Sequence, residues 1–209
     1  MRLSRLHRRD DGFTLVELLV VLVVLGIIVA PLTALIVISL RDSGRTEDRM
    51  LESHDAQIAA TYFTRDVQNI GVRDWDDVAG GFPMLQSIEV NVAATDGEYP
   101  CGPEGTPDAI VRFAWDDPVS GGATRRRVSY VEQVVGTERQ LQRLVCDDSG
   151  TVTSRVVIAH NLDSTPVITC AGSCISIPPP TTVQLALSLR APSSEDPYSV
   201  TLTAQRRQT

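Results

Sequence analysis

The feature that most constrains this chain is an apolar run close to its N-terminus. From Leu18 to Leu40 there are 23 residues in which Thr33 and Ser39 are the only polar side chains. A helix of about 20 apolar residues crosses the hydrocarbon core of a bilayer, so the run predicts a membrane-spanning helix. From Phe13 to Leu40 that helix is roughly 42 Å long at about 1.5 Å per residue. Arg2, Arg5, Arg8 and Arg9 precede the run and no basic residue lies in it. That asymmetry places the N-terminus in the cytoplasm and the rest of the chain on the outer side.

Two ordinary readings leave something unexplained. A secretory signal has a short apolar region followed by a small-x-small cleavage site; this run is too long and no convincing site follows it. A plain single-pass anchor accounts for the length and the charge bias but not for Glu17. A carboxylate at the edge of an apolar helix costs free energy, on the order of a few kcal/mol when deeply placed, so it calls for a partner.

Gly12-Phe13-Thr14-Leu15-Val16-Glu17, followed by Leu18-Leu19-Val20-Val21-Leu22, resembles the class III signal of type IV prepilins and pseudopilins. The resemblance implies that a membrane aspartic peptidase cuts between Gly12 and Phe13 and methylates the new Phe13 amine. It implies that the apolar helix is retained, and that Glu17 pairs with an N-terminal amine during filament assembly. The electrostatics agree: a new ammonium and a carboxylate in a low-dielectric setting both gain from pairing. Family members carry helix breakers further down the span, and Gly26 and Pro31 occupy that zone. Their effect is either a mild kink or a stretch that loosens on entering the filament. The implied partners are other pilins, the prepilin peptidase, an assembly platform protein with its ATPase, and the membrane before assembly.

Beyond the span, Arg41-Asp42-Ser43-Gly44 is a candidate loosening. Residues 45–72 read as an amphipathic continuation: Ala59, Phe63, Val67 and Ile70 share one helix face, suited to packing on a sheet. Arg49, Glu52, Asp55 and Arg65 are expected on a solvated face, and Gly71 as the stop. Candidate strands are 85–92, 109–115, 126–135, 139–146, 152–159, 183–190 and 198–205. Val183–Arg190 alternates strictly, and with Val200–Ala204 it makes a hairpin with a wide loop. The expected fold is α+β: a long N-terminal helix, membrane-spanning then amphipathic, packed on a C-terminal antiparallel sheet head. The expected divisions are a leader over 1–12, an assembly helix over 13–40, its continuation over 41–72 and a β-rich extracytoplasmic head over 73–209. Tyr62–Val67 and Arg139–Cys146 resemble, more loosely, the J-type pseudopilin and W-type minor pilin group, which implies a minor subunit.

Composition narrows the chemistry. All nineteen basic residues are Arg, and without residues 1–12 the chain carries 15 of them against 24 acids, a net −9. Such a chain is a poor match for nucleic acid. The four cysteines, Cys101, Cys146, Cys170 and Cys174, all follow the apolar run; an even count in an outward-facing region favours disulfides. Three pairings are possible, and nearness suggests Cys101–Cys146 with Cys170–Cys174. Thiolate spacing does not suit zinc, and no cofactor or metal is expected. Asp74-Trp75-Asp76-Asp77 reads as a helix-to-strand turn rather than a calcium loop, and Asp147–Gly150 as a hairpin turn. Arg125-Arg126-Arg127 reads as a solvated strand start. His7, His54 and His160 lack a nucleophile elbow, so no enzyme is expected. The leading function is a structural filament subunit. The alternatives are a secretion pseudopilin, a competence pilin for DNA uptake, or a membrane-anchored extracellular binding module.

Overall fold

The computed structural model describes residues 14–119, 122–192, 194 and 196–207. The chain divides into two compact units, Met1–Arg45 and Thr46–Thr209. One helix, α1 (Leu15–Asn69), contributes its first part to one unit and its last part to the other. In the first unit every described side chain from Thr14 to Ser43 is exposed, and the helix is long and apolar enough to cross a membrane. It continues unbroken through Gly26, Pro31 and Gly44. The Thr33 hydroxyl donates to the Val29 carbonyl at 2.9 Å and the Ser43 hydroxyl to the Ser39 carbonyl at 2.9 Å, so these hydroxyls are satisfied within the helix.

In the second unit, α1 packs against antiparallel sheets, giving the α+β head. Ala59, Phe63, Val67 and Ile70 are fully buried, the face that their spacing predicts. Eight strands follow: β1 (Ile88–Val92), β2 (Ala109–Val119), β3 (Gly122–Val135), β4 (Glu138–Cys146), β5 (Val152–Ala159), β6 (Val167–Cys170), β7 (Thr182–Leu189) and β8 (Tyr198–Gln205). β1 to β5 form one five-stranded meander in chain order; β6, β7 and β8 form a second, three-stranded sheet. Phe63 meets Phe113 and Tyr130 with ring centroids 6.1 and 6.3 Å apart, in a core that also takes Val183, Leu185 and Leu202 from the smaller sheet. Burying side chains of this size contributes about 1.5–3 kcal/mol each.

The opposite face of the five-stranded sheet is also covered. Residues 93–106 lie over it, held by the Cys101–Cys146 disulfide and by Tyr99, whose hydroxyl donates to the Gln86 carbonyl. Gly150, in the β4–β5 turn, has φ +83°, and a Cβ there would meet the Pro100 carbonyl oxygen at 2.9 Å. Only glycine fits that turn under that segment. Asp147 completes the turn by accepting from the Ser149 and Thr151 amides at 2.9 and 3.0 Å.

β1 begins at Ile88 rather than at 85 and β3 at Gly122 rather than at 126, and two further differences have a visible cause. β6 carries no alternating pattern that marks it in the sequence; it is a four-residue strand whose pairing with β7 defines it. β2 extends beyond Trp115 through Asp116-Asp117 because β3 supplies cations opposite: Arg125 pairs with Asp116 at 3.1 Å and Arg126 with Asp117 at 3.0 Å. Arg127 donates to the Pro100 carbonyl. The solvated strand start expected for Arg125–Arg127 is therefore corrected: all three are partly buried and bonded across the sheet.

Candidate functional site

Thr14 precedes the first helical residue, and its hydroxyl oxygen accepts the Glu17 amide at 3.3 Å. The Leu18 amide donates to the Thr14 carbonyl at 3.1 Å. Thr14 is thus the N-cap and Glu17 the third helical residue, the spacing of a capping box. A carboxylate in the first turn also suits the helix dipole. Thr14-x-x-Glu17 therefore has a local role that the reading of Glu17 as an assembly charge had not included. Gly12 and Phe13, the expected processing residues, lie outside the described residues. Gly26 and Pro31 sit within continuous helix, and nothing lies within 4 Å of a Cβ built on Gly26.

At its other end, α1 is fastened to the head by three acids on its sheet-facing side. Asp66 is nearly fully buried and takes both guanidinium arms of Arg143 in β4, at 2.6 and 2.7 Å. It also accepts the Tyr130 hydroxyl of β3 at 2.6 Å. The Arg143 guanidinium lies 5.1 Å from the Tyr62 ring centroid. Burial works to lower the pKa of Arg143, but the hydrogen bond and charge of Asp66 outweigh it and hold it above the usual value. Burial first, then Asp66, push the Tyr130 hydroxyl well above the ordinary phenol range. About three helical turns toward the N-terminus, Asp55 accepts the His160 amide at 2.7 Å and lies 3.0 Å from its Nδ1. Glu52 accepts the Ala191 amide at 2.8 Å. The solvated face expected for Arg49, Glu52, Asp55 and Arg65 is corrected in part. Arg49 and Arg65 are exposed, whereas Glu52 is buried and Asp55 is partly buried, because the loops after β5 and β7 present amides to them. The two short segments singled out in the sequence, Tyr62–Val67 and Arg139–Cys146, meet through this Asp66–Arg143 pair.

A second buried ion pair lies on the far face of the large sheet. Arg112 in β2 donates to Glu89 of β1 at 2.8 Å and to the carbonyls of Asp96, Ala93 and Ala94. Burial lowers its pKa, with Glu89 opposing. Its guanidinium gathers carbonyls much as a bound cation would, and so fixes residues 93–98. Strand alternation put Arg112 on the face away from Val111 and Phe113; that this face is covered was not visible in the sequence.

The structure joins Cys101 to Cys146 and Cys170 to Cys174, the pairing that nearness favours. Among the described residues no group of three or more His, Cys, Asp or Glu is placed to hold a metal ion. In the Asp74–Asp77 segment, Asp74 accepts the Asp76 amide and Asp77 the Gly80 amide, so these two carboxylates shape the turn.

Residues 7–33 match the family described as the prokaryotic N-terminal methylation motif. The matched stretch takes in the start of the helix of membrane-spanning length, and it marks this N-terminal segment as a class III signal of the type IV prepilin and pseudopilin kind. That signal is a structural pilin-type motif, not an enzymatic one, and goes with processing by prepilin peptidase and filament formation with other pilins. Neither a curated protein nor a solved structure matches the chain.

Proposed function

We propose that this chain is a structural, non-enzymatic minor subunit of a type IV pilus or related filament. The peptidase cuts after Gly12, and Phe13 becomes the methylated N-terminus. The N-terminus starts in the cytoplasm and the head is displayed outside. Residues 13–40 form the assembly helix, 41–72 its continuation, 73–209 the head. A platform protein and its ATPase drive incorporation. The observation that carries the reading is the methylation motif at residues 7–33, which takes in the start of a helix whose first part buries no side chain of its own. An exposed and almost wholly aliphatic helix surface suits lipid first and neighbouring helices afterwards. The minor-subunit reading rests on the elaborated head, with two sheets, two disulfides and a covered outer sheet face.

Glu17 is proposed as the assembly charge, paired with a Phe13 ammonium. A buried pair that loses one member leaves the other charge unpaired, at about 3–5 kcal/mol; headgroups and water make this an upper guide. Each 1.4 kcal/mol is about tenfold in an equilibrium. Glu17→Val is expected to insert and to be processed, yet to enter sheared filaments at least about tenfold less well per processed molecule. Glu17→Asp is expected in between. Incorporation of Glu17→Val equal to that of the unaltered chain defeats the charge-pair role. The capping contribution, about 1 kcal/mol, is read separately through Thr14→Ala, which leaves the charge in place.

A further inference from the structure

Two surfaces of the head expose large apolar side chains beside unpaired charge. One is the connection from α1 to β1. In the run Asp74-Trp75-Asp76-Asp77-Val78, Trp75 is 48% exposed and Val78 71%. Trp75 is held in place. Its Nε1 donates to Asp116 at 2.9 Å, and its ring centroid lies 5.3 Å from that of Phe82, whose carbonyl accepts from Arg73 at 3.0 Å. Asp76 and Asp77 are exposed. The other surface lies on the first turns of α1 within the head. Met50 is 69% exposed and Leu51 57%. They line a shallow groove with Arg49, Ser53, His54 and Gln57, and no acid lines it. Among the described residues no ion pair engages Arg49, Asp76 or Asp77.

The two surfaces complement each other. The first presents an indole ring and carboxylates, the second a thioether, a leucine and a guanidinium. Aromatic, Met and Arg side chains are the ones enriched in the buried centre of protein interfaces, and sulfur beside an aromatic ring is favourable. An anchor that is already fixed, as Trp75 is, loses little freedom on binding. Within one head the surfaces stand apart. The acidic loop follows the C-terminal end of α1 at Asn69, whereas the groove centres on Leu51. Those two residues are about 27 Å apart along the helix at about 1.5 Å per residue.

We propose that residues 74–82 of one copy of this chain seat in the Met50–Leu51 groove of a second copy. Trp75 and Val78 cover the apolar side chains, and Asp76 and Asp77 come beside Arg49, with His54 as a further donor. The contact joins two different surfaces, so both copies keep α1 pointing the same way and the series of contacts stays open. It displaces one copy by about 27 Å along α1 relative to the other. Copies level with one another in a membrane cannot make it, and copies staggered in a filament can. The inference rests on the filament reading above and holds for a minor subunit whose copies adjoin.

The test is disulfide trapping between two differently tagged full-length copies in cells that assemble the filament, since all four native cysteines are bonded. One copy carries Val78→Cys and the other Met50→Cys. Under mild oxidation, sheared filaments are expected to hold a covalent dimer of the two tags, about tenfold above the membrane fraction and above either variant expressed alone. Asp76→Arg in the first copy is expected to cut that yield about fivefold, and Arg49→Asp in the second to restore it. Both tags present in filaments without the dimer, equal yields in membranes and filaments, a yield untouched by Asp76→Arg, or a crosslink to a different polypeptide in place of a second copy would each overturn the proposal and leave the filament reading standing. Absence of both tags from filaments that still assemble would overturn the two together.

Discussion

The two parts of α1 share one backbone and have opposite relations to the rest of the chain. From Leu15 to Leu40 the side chains are aliphatic almost without exception and all exposed. From Glu52 to Asn69 the helix buries a stripe of Ala56, Ala59, Phe63 and Val67, with Glu52 and Asp66 among them. Charge follows the same division in reverse. The apolar part keeps a single carboxylate, Glu17, in its first turn. The head-bound part uses Glu52, Asp55 and Asp66 as connectors to loops and strands. An apolar surface is thus left for partners where the chain offers none, and buried charge is tolerated only where the head supplies matched donors.

This contrast can be broken most severely at Asp66. Asp66→Ala leaves Arg143 buried without its carboxylate, and Arg143→Ala does the converse; each is expected to lower head stability by about 3–5 kcal/mol. Denaturant unfolding of the detergent-solubilised chain, followed by tryptophan fluorescence, measures it. A loss under about 1 kcal/mol in both variants would show that the pair does not fasten the helix.

The disulfides give the next effect. Cys101–Cys146 closes a loop with a sequence separation of 45 and Cys170–Cys174 one of 4. Chain entropy assigns about 4 and about 2 kcal/mol to them, so replacing the first pair by Ser should lower the unfolding midpoint roughly twice as far. Reversal of that order would mean that residues 93–106 are held mainly by Arg112 and Tyr99.

The smallest effects are expected in the apolar part. Leu25→Ala, or Pro31→Ala, should change head unfolding by less than about 0.5 kcal/mol, because both side chains are exposed. Phe63→Ala, on the same helix, should cost about 3–5 kcal/mol. A large head effect from Leu25→Ala would erase the distinction between the two parts.

Much of this was legible in the sequence because it rests on periodicity or on local chemistry. The apolar run, the Ala59–Ile70 stripe, the β7–β8 hairpin and the Asp147–Gly150 turn need only neighbouring residues to be recognised. What escaped depends on residues distant in sequence. Asp66 of α1 and Arg143 of β4 stand 77 positions apart, and no local pattern pairs them. Asp116 and Asp117 looked like the end of a strand until Arg125 and Arg126 stood opposite. Glu52 found an amide 139 residues away. Of the processing and assembly residues, Gly12, Phe13 and Glu17 came from the class III motif, and only the capping role of Thr14 was added by geometry.

The central claim is that this helix is kept and its leader is cut away. Intact and peptide mass spectrometry of the chain extracted from membranes tests it most directly. The account predicts an N-terminus at Phe13 carrying one added methyl group, and full-length precursor when Gly12 is replaced by a bulky residue. A mature chain beginning after Leu40, or an unprocessed Met1 terminus in cells that possess the peptidase, would contradict it.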